Sequence, residues 1–292
     1  MINLSQETYG KAVEVAHGFW IIATHHRPGL SRKMFEINNR CLIFKVTDAG
    51  TNSSVLAVFN AVDPAQSFSE VHRLEKETGL TVRYIISPGG GHHMHIAPWH
   101  DEFTQAKVFL GPIRTPHTGN GKKLMHLPRV SLMKETDPLP MFKGQIDAIL
   151  FRGLIGAADR QAPGEGGKDT TMSMIGTFIH FMTKVNQPTE ELWIYHPMTQ
   201  TVIGGENLAW YYRKDDLKNQ PFMLRMMIKP DQLTIMTTGR KVGDAKVVAD
   251  CWNKILLWPS TTIMTYHELP GIAFHGDGKV ALTEAVKAAK QL

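Results

Sequence analysis

The sequence predicts a layered α/β fold, and three observations carry that prediction. Short apolar or β-branched runs alternate with turn signals through the first 60 residues. Between residues 54 and 110 the order is strand, helix, strand, loop, helix, strand, the alternation that builds sheets covered by helices. The composition is globular: hydrophobic residues make up 42% and charged residues 20% of 292, too apolar for a disordered chain.

Each element has a local reason. Phe19 to Thr24, Cys41 to Val46 and Ser54 to Val62 are strand-like runs, separated by Arg27-Pro28-Gly29 and Asp48-Ala49-Gly50. Asp63-Pro64 opens a helix with Phe68, Val71, Leu74 and Glu75 at helical spacing, and Gly79 stops it. Thr81 to Ser87 is a β-branched strand ending in Pro88-Gly89-Gly90-Gly91. A short helix is expected over Trp99 to Gln105 and a strand over Ala106 to Leu110. Gly111 to Lys123 reads as a Gly/Pro loop, Asp137 to Pro140 as a break, and Gln145 to Leu154 as a strand. Gly153 to Asp169 is a Gly/Ala/Pro-rich loop of the kind that borders sites. Strands return at Ile175 to Met182, Leu192 to Tyr195 and Thr201 to Gly204. Val247, Val248, Cys251, Trp252, Ile255 and Leu256 form one helical stripe, which Pro259 ends; a terminal helix covers Lys279 to Lys290. With no repeat or linker in sight, residues 1–292 are expected to form one domain.

The counts exclude several classes. Lys and Arg exceed Asp and Glu by five, without a dense basic stripe, so no nucleic acid is expected as a partner. No apolar run reaches the ~18 residues of a membrane span, and no secretory leader pattern stands at the N-terminus, so a cytoplasmic chain is expected. Cys41 and Cys251 are the only cysteines and read as buried small hydrophobes rather than a disulfide framework. Gly164-Glu165-Gly166-Gly167-Lys168 lacks the spacing of a phosphate loop.

The strongest chemical signal is Gly89-Gly90-Gly91-His92-His93-Met94-His95-Ile96-Ala97-Pro98-Trp99-His100, with four histidines in nine residues at a strand end. Imidazole is the commonest neutral ligand for zinc and suits divalent iron. In an extended segment His93 and His95 point the same way and can chelate together. The competing reading is a polar surface loop. Further donors follow: His180 inside Thr177-Phe178-Ile179-His180-Phe181-Met182, Glu206 after Gly204-Gly205, and His275 before Gly276-Asp277. His180 can equally be a hydrogen-bonded core histidine. His25-His26 reads as a surface turn, and His196 before Pro197 as part of a hairpin.

In order and context these segments resemble the metallo-β-lactamase superfamily, whose fold is a four-layer αβ/βα sandwich with one or two metals at the sheet edge. His93 and His95 match its H-x-H, His180 its later histidine, Glu206 its bridging acid after glycine, and His275-Gly276 its final His-Gly. The resemblance runs from about Phe19 to Val280. Ala97 and Pro98 stand where the family has Asp-His, and Asn60-Ala61 where it has Asp-Gly. This implies one ion rather than two, with His92 or His100 as substitute ligands.

The resemblance implies a metal-dependent hydrolase acting on a small-molecule ester, lactone, amide or activated ether. Its divalent metal would be zinc first, with iron or manganese as alternatives, held by His93, His95, His180, Glu206 and His275. Glu206, Asp277 or His100 would carry the proton. Two rivals stand beside it: an iron-dependent oxidoreductase on the same fold, and a non-catalytic half-site subunit needing a partner chain. Met- and aromatic-rich stretches such as Met223, Met226 and Met227 suggest a homo-oligomer, or a hetero-oligomer with a related subunit.

Overall fold

The computed structural model describes residues 2–26, 37–113, 115–117, 119–157, 185–204, 209–218, 220, 222–235 and 240–290. Its first half forms a seven-stranded sheet in simple order: β1 (Ala12–Ala16), β2 (Phe19–His26), β3 (Ile37–Thr47), β4 (Ser54–Phe59), β5 (Val82–Ile86), β6 (Lys107–Leu110) and β7 (Val130–Leu132). The strands β1 to β4 pair antiparallel, and β4 to β7 pair parallel. The parallel crossovers are carried by α1 (Pro64–Thr78), α2 (Ile96–Glu102) and α3 (Gly119–Leu124).

The local signals act as expected in α1. Asp63 caps it by accepting from the Ala65 amide, Pro64 occupies the first turn, and Gly79 closes it at φ 68°, where a Cβ would be strained. The next helix starts earlier than expected, at Ile96 rather than Trp99, because Pro98 falls in its first turn, where no amide hydrogen is needed. The sequence reading also passed over β1, whose residues alternate too weakly to stand out.

The second half builds a six-stranded sheet. In chain order come β8 (Asp147–Ala157), β9 (Val185–His196), β10 (Thr201–Ile203), β11 (Ala209–Trp210), α4 (Lys214–Lys218), α5 (Phe222–Met227), β12 (Thr234–Ile235), β13 (Arg240–Val242), α6 (Ala245–Ile255), β14 (Thr262–Met264), β15 (Phe274–His275) and α7 (Gly278–Ala288). The sheet order is β13-β8-β9-β10-β14-β15, with β10 and β14 parallel, while β11 and β12 pair separately. The expected strand over Ile175 to Met182 lies outside the described residues.

Strand alternation sorts the core into layers. Phe19, Ile21, Phe44 and Phe59 of the first sheet meet Leu150, Leu192, Ile194 and Met264 of the second, filling the space between them. The alternate residues, Trp20, Ile22, Ile43 and Val58, pack outward on Val71 and Leu74 of α1 and Trp99 of α2. On the far side Trp193, Val202 and Ile263 pack on Val248 and Trp252 of α6 and on Leu282 and Val286 of α7. The result is helix, sheet, sheet, helix: the four-layer sandwich expected from the sequence. No described helix is long and apolar enough to cross a membrane.

Candidate functional site

Ligand sites in α/β sheets form beyond the carboxyl ends of parallel strands. Here that edge collects Asn60 after β4, the histidine run after β5, and the segment Thr265 to Glu268 after β14. The histidine run is a six-residue 3₁₀ helix, Gly90–His95, not an extended segment. At three residues per turn, side chains two apart leave roughly 120° away from each other. The segment is therefore not extended as expected, and the three histidines of the run face three different surroundings.

His92, buried, has its Nδ1 on the Asn60 side-chain oxygen. Asn60 donates its own amide to the Arg40 carbonyl at 2.8 Å, which fixes its oxygen toward the imidazole. His93, also buried, lies with Nε2 3.4 Å from the Thr115 hydroxyl. His95 is half-buried at the start of α2, where burial lowers its pKa against the opposing pull of the Asp63 carboxylate.

The partner of His92 is His267, which the sequence reading did not single out. The two rings stack at 5.3 Å with 20° between their planes. His267 Nδ1 donates to the Asn38 carbonyl at 2.8 Å, a contact that settles the proton, because a carbonyl only accepts. In their neutral forms both rings thus carry the proton on Nδ1 and present Nε2 as the basic nitrogen. Trp210 stacks on His267 at 5.7 Å, and Tyr266 leans on His92 at the same distance. Next door Tyr9 donates to the Asn38 side chain and stacks at 3.7 Å on His25, which belongs to β2 and not to a free surface turn. The signal for His267 was present: a β-branched run, Thr261 to Thr265, ending in Tyr266-His267 before Pro270.

The other candidates are placed elsewhere. His100 turns its ring to the Pro128 carbonyl at 2.7 Å and to Arg129, holding the start of β7. Asp277 caps α7 by accepting from the Val280 amide at 3.0 Å. His275 pairs with Thr262 at the beginning of β14, whereas His267 follows its end. His180 and Glu206 lie outside the described residues. Among the described residues no three His, Cys, Asp or Glu side chains are grouped so as to hold a metal ion. The donor chemistry of His92 and His267 nonetheless suits one: metal-binding histidines commonly donate their other ring N–H to an amide or carbonyl oxygen, as both do here.

No protein-family model and no curated protein matches the sequence. Solved structures do. A β-lactamase domain protein from Burkholderia ambifaria aligns with a TM-score of 0.53 at 11% identity, over 99% of this chain and 80% of that one. A metallo-β-lactamase from Pontibacter korlensis aligns at 0.50 and 10% identity, over 97% and 99%. A metal-soaked flavodiiron core from Synechocystis aligns at 0.50 and 13% identity over 96% of this chain, which spans 60% of that protein. What is shared at these identities is the fold.

Proposed function

We propose that this chain, which has the metallo-β-lactamase fold, is a metal-dependent hydrolase of small-molecule esters, lactones, amides or activated ethers, working at the edge where His92 and His267 meet. The observation that carries this reading is the pair itself: two buried imidazoles from opposite sheets, each fixed with its proton on Nδ1. His92 and His267 would hold a divalent ion together with donors such as the expected His180 and Glu206. The ion, zinc first and iron or manganese after it, supplies Lewis-acid chemistry that makes water nucleophilic near neutral pH. Asn60 and the Asn38 carbonyl keep the two rings oriented and in the basic tautomer at Nε2. Trp210 and Tyr266 wall the pair off from solvent, which strengthens any charge interaction made there.

The test is elemental analysis of untagged protein beside a screen of ester, lactone and amide hydrolysis. His92→Ala and His267→Ala are each expected to lower bound metal and turnover by more than tenfold. Metal and turnover unchanged in both variants would overturn the reading. Bound iron with oxygen consumption and no hydrolysis would move the activity to an oxidoreductase.

A further inference from the structure

Arg40 is fully buried in the middle of the molecule, an unusual place for a guanidinium. It is satisfied throughout. Its Nε and Nη2 grip Glu7 at 2.7 and 2.9 Å, Nη1 meets Glu268 at 3.0 Å and the Thr265 carbonyl at 3.3 Å, and Nη2 reaches the Leu269 and Ile272 carbonyls, both at 2.8 Å. The Arg40 backbone amide adds a bond to the Tyr266 carbonyl, also at 2.8 Å. Every one of these acceptors except Glu7 belongs to the segment 265–272, which carries His267. Glu268 in turn accepts from the Tyr211 amide at 2.9 Å and the Thr265 amide at 3.1 Å, tying in the strand of Trp210 that stacks on His267. The same residue, through its carbonyl, orients Asn60 and so His92.

A buried ion pair brings little net stability, since desolvation offsets its attraction. What this network does supply is registry, because a planar fork with five donors fits only one arrangement of acceptors. We infer that Arg40 and Glu268 are positioning residues: their buried network locks the 265–272 segment onto β3 so that His267 meets the Asn38 carbonyl and faces His92 in a single tautomer. The inference rests on His92 and His267 being the working pair, but its test does not depend on activity.

Nitrogen-15 histidine NMR, with His267→Gln and His92→Gln used for assignment, reads the tautomer of each ring directly. In the wild-type protein both rings are expected as the Nδ1–H form alone; a His267 averaged between tautomers, or protonated on Nε2, overturns the inference without any variant having to fold. Glu268→Gln removes the charge while keeping one acceptor oxygen, and Arg40→Lys keeps the charge while losing the fork. Each is expected to keep native far-ultraviolet dichroism yet lose the single-tautomer pattern at His267. His196, held by Thr199 outside the network, should be unchanged in both. A folded variant whose His267 pattern stays as in wild type refutes the positioning role. If the His267 pattern changes as expected while His92→Ala and His267→Ala both leave metal and turnover intact, the network stands and the proposed function fails.

Discussion

The two ends of the sandwich carry similar residues and use them differently. At the edge beyond β4, β5 and the end of β14, His92, His267, Arg40 and Glu268 are buried, and their bonds join residues far apart in sequence. His267 meets the Asn38 carbonyl across 229 positions and Arg40 meets Glu268 across 228. At the opposite end His196, His275 and Asp277 find partners nearby: Thr199 three residues on, Thr262 thirteen back, Val280 three on. Local partners finish hairpins and helices; distant ones are affordable only where the whole fold is already in place. On the proposed function, chemistry is expected at the end where His92 and His267 make these distant contacts.

The comparison can be broken most forcefully at Arg40. Arg40→Leu strands Glu7 and Glu268 in the interior, and removing one partner of a buried pair costs about 3–5 kcal/mol. Urea denaturation should show that loss. A cost within about 1 kcal/mol of zero would mean that the edge is not built around this residue.

At the other end His196 sharpens the contrast through pH. Desolvation among Phe19 and Phe44 pushes its pKa down to about 4 from an ordinary 6.5. The unfolded chain therefore takes up the proton first. His196 contributes nothing adverse above pH 6.5, and stability falls progressively as pH drops from there toward 4, by up to about 3 kcal/mol. Stability curves at pH 7, 5 and 4 should flatten in His196→Gln. An undiminished acid dependence in that variant would place the titrating group elsewhere.

Smaller effects follow for the remaining far-end residues. Asp277→Ala should cost about 1 kcal/mol through the lost helix cap and leave bound metal unchanged. His275→Ala, at an exposed strand end, should shift stability by under about 0.5 kcal/mol. If its metal content instead fell as far as that of His267→Ala, the working edge would have to be redrawn to include β15.

Much of the frame was legible in the sequence because its causes are local. Asp63-Pro64 and Gly79 bound α1 by satisfying or terminating backbone groups within one turn. The stripe Val248, Cys251, Trp252 and Ile255 marks the face of α6 that meets the second sheet. The alternation in Phe19 to Ile22 assigns each residue to one layer or the other. The candidate edge was also legible, since glycine and histidine crowd the end of β5.

The sequence by itself thus determined the α/β class, the limits of α1, the faces of the strands and the edge where histidines gather. Only the tertiary structure decided which histidines face each other. His92 and not His93 turns to the second sheet because Asn60, oriented from behind by Arg40, accepts a hydrogen bond from its Nδ1–H; His267 rather than His275 meets it because Arg40 fastens the segment after β14 onto β3. Propensity and capping act within a few residues, whereas the direction and tautomer of these imidazoles are set by partners 32 and 229 positions away, which no local spacing records.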